Sequence, residues 1–244
     1  MTSTPIWVCA EIEYAAFGSY RVPDSSPSYA LCSPVPSPAA VRLALVDAVI
    51  RHTGSVQEGR SLFELVKAAP LRLSPPPRVA VMRFFLKRLK PRGAEMREST
   101  GTREYCHFEG PLRVWISVTD VERVVRAFKW LRRLGTTDSV ITCSVGLADP
   151  ELSVCMRELA DFSGDESLRG RVVYTLHDLR PDSRFEHVDP WSAWAREAAK
   201  AIVKRIYILP LVRERAGQNW VIYRREPWPS ATLVAPEVSH GGDG

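Results

Sequence analysis

The sequence predicts an α+β protein whose first 146 residues have a ferredoxin-like order of elements. Strand-type and helix-type hydrophobic patterns alternate there in the order strand, helix, strand, strand, helix, strand, which is the split βαβ order of that fold. Clusters of proline, glycine and serine separate the segments. With 45% hydrophobic and 25% charged residues, the 244-residue chain has an ordinary globular composition. A generic α+β domain with another topology is the alternative.

The first strand is predicted over residues 6–16, where apolar and polar residues alternate at the centre. Residues 22–36 are rich in proline and serine and predict a loop. Ser37 is a typical helix N-cap and Pro38 a typical first helical residue. The apolar spacing that follows predicts a helix that Gly54 ends.

A short helix is predicted over residues 59–69, before the proline run 75–77 breaks the chain. The next strand is predicted over residues 79–86. A further strand is predicted over residues 105–118, after a basic segment that leaves the sheet.

The second long helix is predicted over residues 121–134, with Asp120 as its cap and Gly135 as its end. A strand is predicted over residues 139–145 and completes the ferredoxin-like module. The resulting division of the chain is 1–146 for this module, 147–235 for a smaller β-rich C-terminal part, and 236–244 for a disordered tail.

The C-terminal part has weaker patterns than the first module. A strand is predicted over residues 171–176 and an alanine-rich helix over residues 192–203. Residues 205–212 and 219–223 are predicted to pair as strands around the turn at Gly217.

The basic segment, at about residues 86–105, is predicted to be an extended hairpin, or thumb. It contains glycines and few apolar residues, as expected of a segment that becomes ordered on RNA. The cations of the thumb and its flanks are Lys87, Arg88, Lys90, Arg92, Arg97 and Arg103. The net charge of +5 favours a polyanionic partner only because these charges are clustered.

A glycine turn follows the first strand and carries an aromatic residue and an arginine, in the order Gly18, Ser19, Tyr20 and Arg21. Together with a helix N-terminus, these groups are suited to hold a phosphodiester chain. Tyr20 is predicted to stack on a splayed base and Arg21 to bind a phosphate. Arg42 is predicted to meet the nucleic-acid backbone from the start of the first helix.

The sequence also excludes several classes of protein. No apolar run reaches the roughly 20 residues that a transmembrane helix needs, and residues 1–5 do not resemble a signal peptide, so a cytoplasmic location is predicted. Five cysteines without a C-x-x-C pair predict reduced thiols. No zinc, calcium, dinucleotide or P-loop pattern occurs, so neither a metal nor a cofactor is predicted.

Two phrases of the sequence resemble the Cas-five family of CRISPR-associated RNA-binding subunits. The first is the glycine turn at residues 18–21, followed by Tyr29 and the Ser/Pro-rich entry to the first helix at residues 33–42. The second runs over residues 131–140 and is similar to the family's Arg-Leu-Gly-x-x-[Asp/Glu]-Ser motif. The resemblance covers residues 6–145, and the glycine-rich C-terminal loop of the wider superfamily is missing.

The resemblance implies a non-enzymatic subunit of a type I Cascade surveillance complex in antiviral defence. Such a subunit grips and caps the 5′ handle of the CRISPR RNA, while base pairing reads the target. The implied partners are this RNA handle, the backbone and large subunits of the complex, and target DNA near its entry point. The implied RNA contacts are the turn at residues 18–21, Arg42 and the thumb.

Two alternatives follow from the same residues. A metal-independent endoribonuclease needs a base for the 2′-OH and an acid for the leaving oxygen, which His107, Tyr105 and a lysine, Lys87 or Lys90, are able to supply. A scaffold protein whose thumb docks on an acidic protein needs no RNA contact. A His107→Ala protein that binds RNA without cutting it distinguishes the nuclease.

Overall fold

The computed structural model describes residues 4–22, 29–93, 95–162, 168–189 and 198–229. Over these ranges the protein mixes helices with a larger amount of sheet, which confirms the predicted α+β class. The helices described are α1 (Pro38–Thr53), α2 (Val56–Val66), α3 (Val121–Trp130), α4 (Phe185–Val188) and α5 (Ala198–Ala201). The strands described are β1 (Ile6–Tyr14), β2 (Tyr20–Arg21), β3 (Tyr29–Ala30), β4 (Cys32–Ser33), β5 (Leu71–Ser74), β6 (Arg78–Arg92), β7 (Glu95–Glu109), β8 (Leu112–Val118), β9 (Ile141–Leu147), β10 (Arg157–Glu158), β11 (Arg171–Leu179), β12 (Ile202–Ala216) and β13 (Trp220–Arg225).

The first sheet has four strands in the order β5-β8-β1-β9, and every neighbouring pair is antiparallel. Along β1, the alternate residues Val8, Ala10 and Ile12 are fully buried. Helix α3 contacts β1 and β9, and α1 packs against α3. The period-2 pattern of β1 therefore places one face of this sheet in the core.

Local sequence signals set the ends of α1. The Oγ of Ser37 accepts a hydrogen bond from the N–H of Ala40 at 3.1 Å, and Pro38 is the first helical residue. Gly54 ends the helix in the left-handed conformation, with φ of 70°. The predicted bounds are confirmed, because both caps depend only on neighbouring residues.

The second sheet is built on a long hairpin of β6 and β7, which pair without interruption along 15 residues each. The strand order is β10-β12-β13-β6-β7-β3, and β11 also pairs with β12. β12 and β13 pair around the turn at Gly217, as predicted. This sheet takes strands from both sides of the predicted domain boundary at residue 146.

The strands predicted over residues 79–86 and 105–118 are present, but the chain changes sheets between them, so their predicted place in one ferredoxin-like sheet differs from the structure. The strand that follows the helices in the first sheet is β5, and residues 79–86 belong to the hairpin of the second sheet. Pro75 and its two proline neighbours end β5, since proline has no N–H to donate to the ladder. The predicted strand over residues 105–118 is divided at Gly110, where φ is 86°. Its first part is the end of β7 and its second part is β8.

The structure describes only part of two further predictions. Of the helix predicted over residues 192–203, the described portion forms α5 and then the start of β12. Residues 190–197 and the predicted tail at 236–244 lie outside the described residues. Within the described part of the chain, no helix is long and apolar enough to cross a bilayer.

Candidate nucleic-acid interface

Gly18 lies where the backbone of the N-terminal turn meets β7. Its N–H donates to the carbonyl of Cys106 at 2.9 Å, and the N–H of Cys106 donates back at 2.7 Å. A Cβ atom at Gly18 would lie 2.7 Å from the ring of Phe108 and 2.9 Å from that of Tyr14. The glycine is therefore required for close packing of the turn against the hairpin.

Ser19 joins the two phrases on which the family resemblance rests. Its N–H donates to the Oγ of Ser139 at 3.0 Å, and its carbonyl accepts from the N–H of Thr136 at 3.1 Å. Its own Oγ donates to the carbonyl of Glu104 at 3.1 Å. Two segments about 120 residues apart thus form one interlocked turn, which attaches the end of β1 to the segment after α3.

Tyr20 is buried, with 5% of its surface exposed. Its ring meets that of Tyr14 edge to face at 6.1 Å, and its N–H donates to the Sγ of Cys32 at 3.1 Å. A ring in this position is core, so the prediction that Tyr20 stacks on a base does not fit this placement. The neighbouring Arg21 has an exposed side chain.

Arg42 is also buried, and this corrects the prediction that it faces phosphates. Its Nε donates to the Oδ1 of Asp178 at 3.0 Å, and its Nη1 donates to the carbonyls of Val66 and Ala69. The guanidinium therefore joins α1 to the end of α2 and to β11. Only 5% of the side chain is exposed, since these internal partners surround it.

The hairpin has two different faces because opposite residues of an antiparallel pair point the same way. We call the outer face the side of the second sheet that carries Phe84, Tyr105 and His107, and the inner face the side that carries Val81 and Cys106. At the base of the hairpin, Val81 and Cys106 are buried in the core. None of the outer-face side chains of the hairpin that the structure describes is buried, and Phe84, Lys90 and Arg92 are exposed.

Aromatic side chains from several strands lie on the outer face. Phe17 is 43% exposed and its ring lies 6.0 Å from the imidazole of His107. Phe84 is 41% exposed and its ring meets that of Tyr105 at 5.8 Å. Trp220 of β13 stands opposite Met82 in the register, at the same side of the sheet. The arrangement presents exposed rings on which unstacked bases are able to stack.

Cations surround these rings on the outer face. By register they are Lys90, Arg92, Arg97, Arg103, Arg215 and Arg224. Arg97 pairs with Glu95, and Arg224 pairs with Glu226, in exposed bridges. Lys90 and Arg92 form no ion pair with any residue that the structure describes. Exposed pairs contribute little, so phosphates compete with them readily.

At the base of the hairpin, carboxylates on the outer face offset the charge of its arginine. Arg78 pairs there with Glu109 at 3.1 Å and with Glu214 at 2.6 Å. These two carboxylates raise the pKa of Arg78, chiefly because its guanidinium donates hydrogen bonds to Glu214. The positive potential is therefore concentrated toward the tip of the hairpin.

Toward the tip of the hairpin, the inner face carries exposed apolar side chains, unlike the cationic outer face. Phe85, Leu89 and Met96 are exposed there, by 67%, 63% and 59%. Lys87 shares this face with them, across from Thr100. The predicted thumb cations are thus divided between two faces. Arg88 pairs through its backbone with Ser99.

The residues of the nuclease alternative do not come together. Tyr105 and His107 lie two residues apart on the outer face. Lys90 lies opposite Arg97, eight residues along β7 from Tyr105, which is about 26 Å at the usual rise of a strand. Lys87 lies on the other face of the hairpin.

Cys106 is not a reactive thiol in this arrangement. Its Sγ lies 3.2 Å from the Sγ of Cys32, and both residues are fully buried. Burial raises the pKa of the Cys106 thiol well above its ordinary value. The thiol therefore stays protonated at neutral pH.

The free face of the first sheet is a poorer surface for a polyanion. Glu11 and Glu13 project from β1 on the side away from the helices. Arg113 lies opposite Glu11, and its Nε donates to the Oε1 of that residue at 2.8 Å. Like charges therefore oppose a phosphate chain on this face.

Sequence reasoning missed several residues of the outer face, namely Phe17, Phe84, Trp220, Arg215 and Arg224. Phe84 belongs to the hairpin itself, and Trp220 and Arg224 belong to β13, which pairs with it. Arg215 lies one strand further away on β12, and Phe17 precedes the bridge from Gly18 to Cys106. A hairpin register counted outward from Gly93 would have grouped Phe84 with Arg103 and Tyr105.

No family model matches the chain. It is 34% identical over 223 residues to CRISPR-associated protein Cas5 of Archaeoglobus fulgidus, a match that covers 88% of this chain and 96% of that protein. Among solved structures it is similar to a CRISPR protein from Archaeoglobus fulgidus, with 12% identity, a TM-score of 0.47 and coverage of 90% and 92% of the two chains. It is also similar to a chain of a CRISPR RNA-guided surveillance complex, with 12% identity, a TM-score of 0.36 and coverage of 96% and 95%.

Proposed function

The chain belongs to the CRISPR-associated Cas5 family, and from that premise we propose that it binds and caps the 5′ handle of the CRISPR RNA as a non-catalytic subunit of a type I Cascade surveillance complex. The observation that carries the proposal is the outer face, where exposed rings and cations lie on one sheet surface. Rings stack on bases of any sequence, and cations track the phosphates.

The outer face explains why the RNA is single-stranded in this proposal. Alternate residues of a strand stand about 6.6 Å apart, roughly twice the distance between stacked bases. Tyr105 and His107 therefore receive bases that are splayed, and a continuous duplex stack does not fit them.

The two faces of the hairpin suit two kinds of partner. Phosphates favour the cationic outer face, whereas the exposed strip of Phe85, Leu89 and Met96 suits an apolar protein surface. We assign that strip to the neighbouring backbone subunit of the complex. Contacts with the large subunit and with target DNA near its entry point are part of the same proposal.

We assign the first sheet and its two long helices to a ferredoxin-like module. The strand order β5-β8-β1-β9, with α1 and α3 as the crossovers, supports this assignment because the split βαβ unit has that order. The RNA surface lies on the appended second sheet, since Glu11 and Glu13 occupy the free face of the module.

The test uses the full chain and end-labelled repeat RNA in EDTA, followed on native and denaturing gels. A retarded but intact RNA is expected. Phe84→Ala should weaken binding about tenfold, since a stacked base contributes roughly 1–3 kcal/mol. The matched control is Phe85→Ala, which removes the neighbouring ring from the inner face and should leave affinity unchanged.

Equal losses from Phe84→Ala and Phe85→Ala would contradict the assignment of the outer face. A discrete cut in EDTA that His107→Ala abolishes would replace the proposal with the endoribonuclease. Absence of any shift at low salt would favour a scaffold without RNA contact.

A further inference from the structure

A cavity of about 280 Å³ opens on the inner face beside the turn between β12 and β13. Val81 and Val221 stand opposite each other in the register and line it, together with Tyr223. This volume is just below the range of small-molecule pockets, which measure roughly 300–1,000 Å³. The cavity therefore fits one flat aromatic group, and a dinucleotide is too large for it.

Two arginines flank the cavity. Arg83 is held by Glu104, with Nη2 to Oε1 at 2.8 Å, and its guanidinium lies 5.0 Å from the ring of Tyr29. Arg213 lies opposite Tyr223 and is exposed. Its guanidinium forms no ion pair or side-chain hydrogen bond with the residues that the structure describes, while its backbone pairs with β13. One cation is therefore fixed as part of the wall, and the other is available to an anion.

Primary amides complete the lining at the rim. Gln218 and Asn219 are exposed in the turn and line the cavity. An amide side chain donates and accepts at once, which matches the edge of a nucleobase.

The turn that forms the rim is firmly attached to the hairpin. The carbonyl of Asn219 accepts from the N–H of Arg83 at 2.8 Å, and the N–H of Gly217 donates to the carbonyl of Trp220 at 2.9 Å. A Cβ atom at Gly217 would lie 2.5 Å from the Nε1 of Trp220. The rim is therefore formed before any ligand arrives.

We propose that this cavity binds one nucleobase turned out of the bound RNA, with the base on Val81, Val221 and Tyr223 and the adjoining phosphate on Arg213. The proposal rests on the proposed function, because the RNA supplies the base. The RNA chain then runs along the outer face, and one of its nucleotides crosses the edge of the sheet and enters the cavity.

The experiment is photocrosslinking of the full chain to single-stranded oligouridylate that contains 4-thiouridine, followed by mass spectrometry of the adducts. Adducts are expected on Tyr105 of the outer face and on Tyr223 of the cavity. Adducts on the outer face without any on Tyr223 would overturn the cavity alone. Absence of all adducts and of binding would overturn the proposed function and the cavity together.

Matched variants separate the two surfaces. Arg213→Ala and Arg215→Ala each remove one exposed cation of β12, on opposite faces of the sheet. Arg213→Ala should lower the yield at Tyr223 about fivefold and spare that at Tyr105, as expected when one base is released. Arg215→Ala should spare Tyr223, and equal effects of the two variants would contradict the proposal.

A filling variant and a free nucleotide complete the test. Val221→Trp should remove the Tyr223 adduct and keep RNA binding. Circular dichroism shows whether this variant folds. If it does not fold, Asn219→Ala takes its place, with the same expected result. An adduct at Tyr223 formed by 4-thiouridine monophosphate and not by the RNA would identify a free nucleotide as the ligand and overturn the proposal.

Discussion

Arginines of this chain differ in burial, and the amino-acid composition does not show which of them are buried. Arg42 and Arg51 both lie on α1 and both pair with a carboxylate. Arg42 is buried between three elements, whereas the side chains of Arg51 and Asp47 are both exposed. A sequence shows both as helical cations, because the partner Asp178 lies 136 residues away from Arg42.

Replacing Arg42 should therefore cost stability and have little direct effect on RNA contacts. Arg42→Ala leaves the carboxylate of Asp178 and two carbonyls without their donor, which we expect to lower the free energy of unfolding by about 3–5 kcal/mol. Urea denaturation measures this loss. The control Arg51→Ala should leave the urea midpoint unchanged, since its ion pair is exposed.

The same comparison separates a structural arginine from an RNA ligand. At a temperature where Arg42→Ala is fully folded, its affinity for single-stranded RNA should equal that of the unchanged protein. A large loss of affinity with an unchanged urea midpoint would show that Arg42 contacts the RNA after all.

At the scale of elements, predictions succeeded where the signal was local and failed where the partner was distant. The caps of α1 and the pairing of β12 with β13 depend on neighbouring residues, and both were predicted. The transfer of residues 79–86 into the second sheet depends on pairing with β13, more than 130 residues further along, and no local pattern contains it.

The candidate interface follows the same rule. The thumb was predicted from its cations, yet its division into two faces depends on the register across the Gly93 turn. Gly18 and Ser19 were predicted as RNA ligands, whereas the structure uses them in contacts with β7 and with the segment after α3. A motif that resembles a family can therefore mark a structural junction beside the candidate binding surface.

The two faces of the hairpin should differ in their salt dependence. Lys90 is on the outer face and Lys87 on the inner face, and both side chains are exposed. Each phosphate contact of single-stranded RNA contributes about 0.7 to the slope of log K against log salt concentration. Lys90→Ala should reduce that slope by about 0.7, whereas Lys87→Ala should leave it unchanged.

Fluorescence anisotropy of a labelled oligouridylate over a series of salt concentrations measures both slopes. The result would count against the outer face if Lys87→Ala reduced the slope as much as Lys90→Ala. An unchanged slope for both lysines would move the phosphate contacts away from this part of the hairpin.

At the scale of the whole molecule, the two sheets share one hydrophobic core. Val79 and Val81 of the hairpin belong to the same buried cluster as Leu176 of β11 and Leu209 of β12. The ion pair of Arg42 with Asp178 crosses the same boundary. A cut at residue 146 therefore removes four of the seven strands of the second sheet, namely β10 to β13, and one partner of a buried pair.

The fragment of residues 1–146 should accordingly fail to fold as an independent domain. Without β13, the strand β6 has an open edge that carries apolar residues, and such an edge promotes aggregation. We expect the fragment to be insoluble or to unfold without a cooperative transition, while the full chain unfolds cooperatively by heat. A soluble monomeric fragment with a sharp thermal transition would contradict this and would restore residues 1–146 as a separate folding unit. Coexpression of the fragment with residues 147–244 should recover soluble protein, because the missing strands and Asp178 then return in trans.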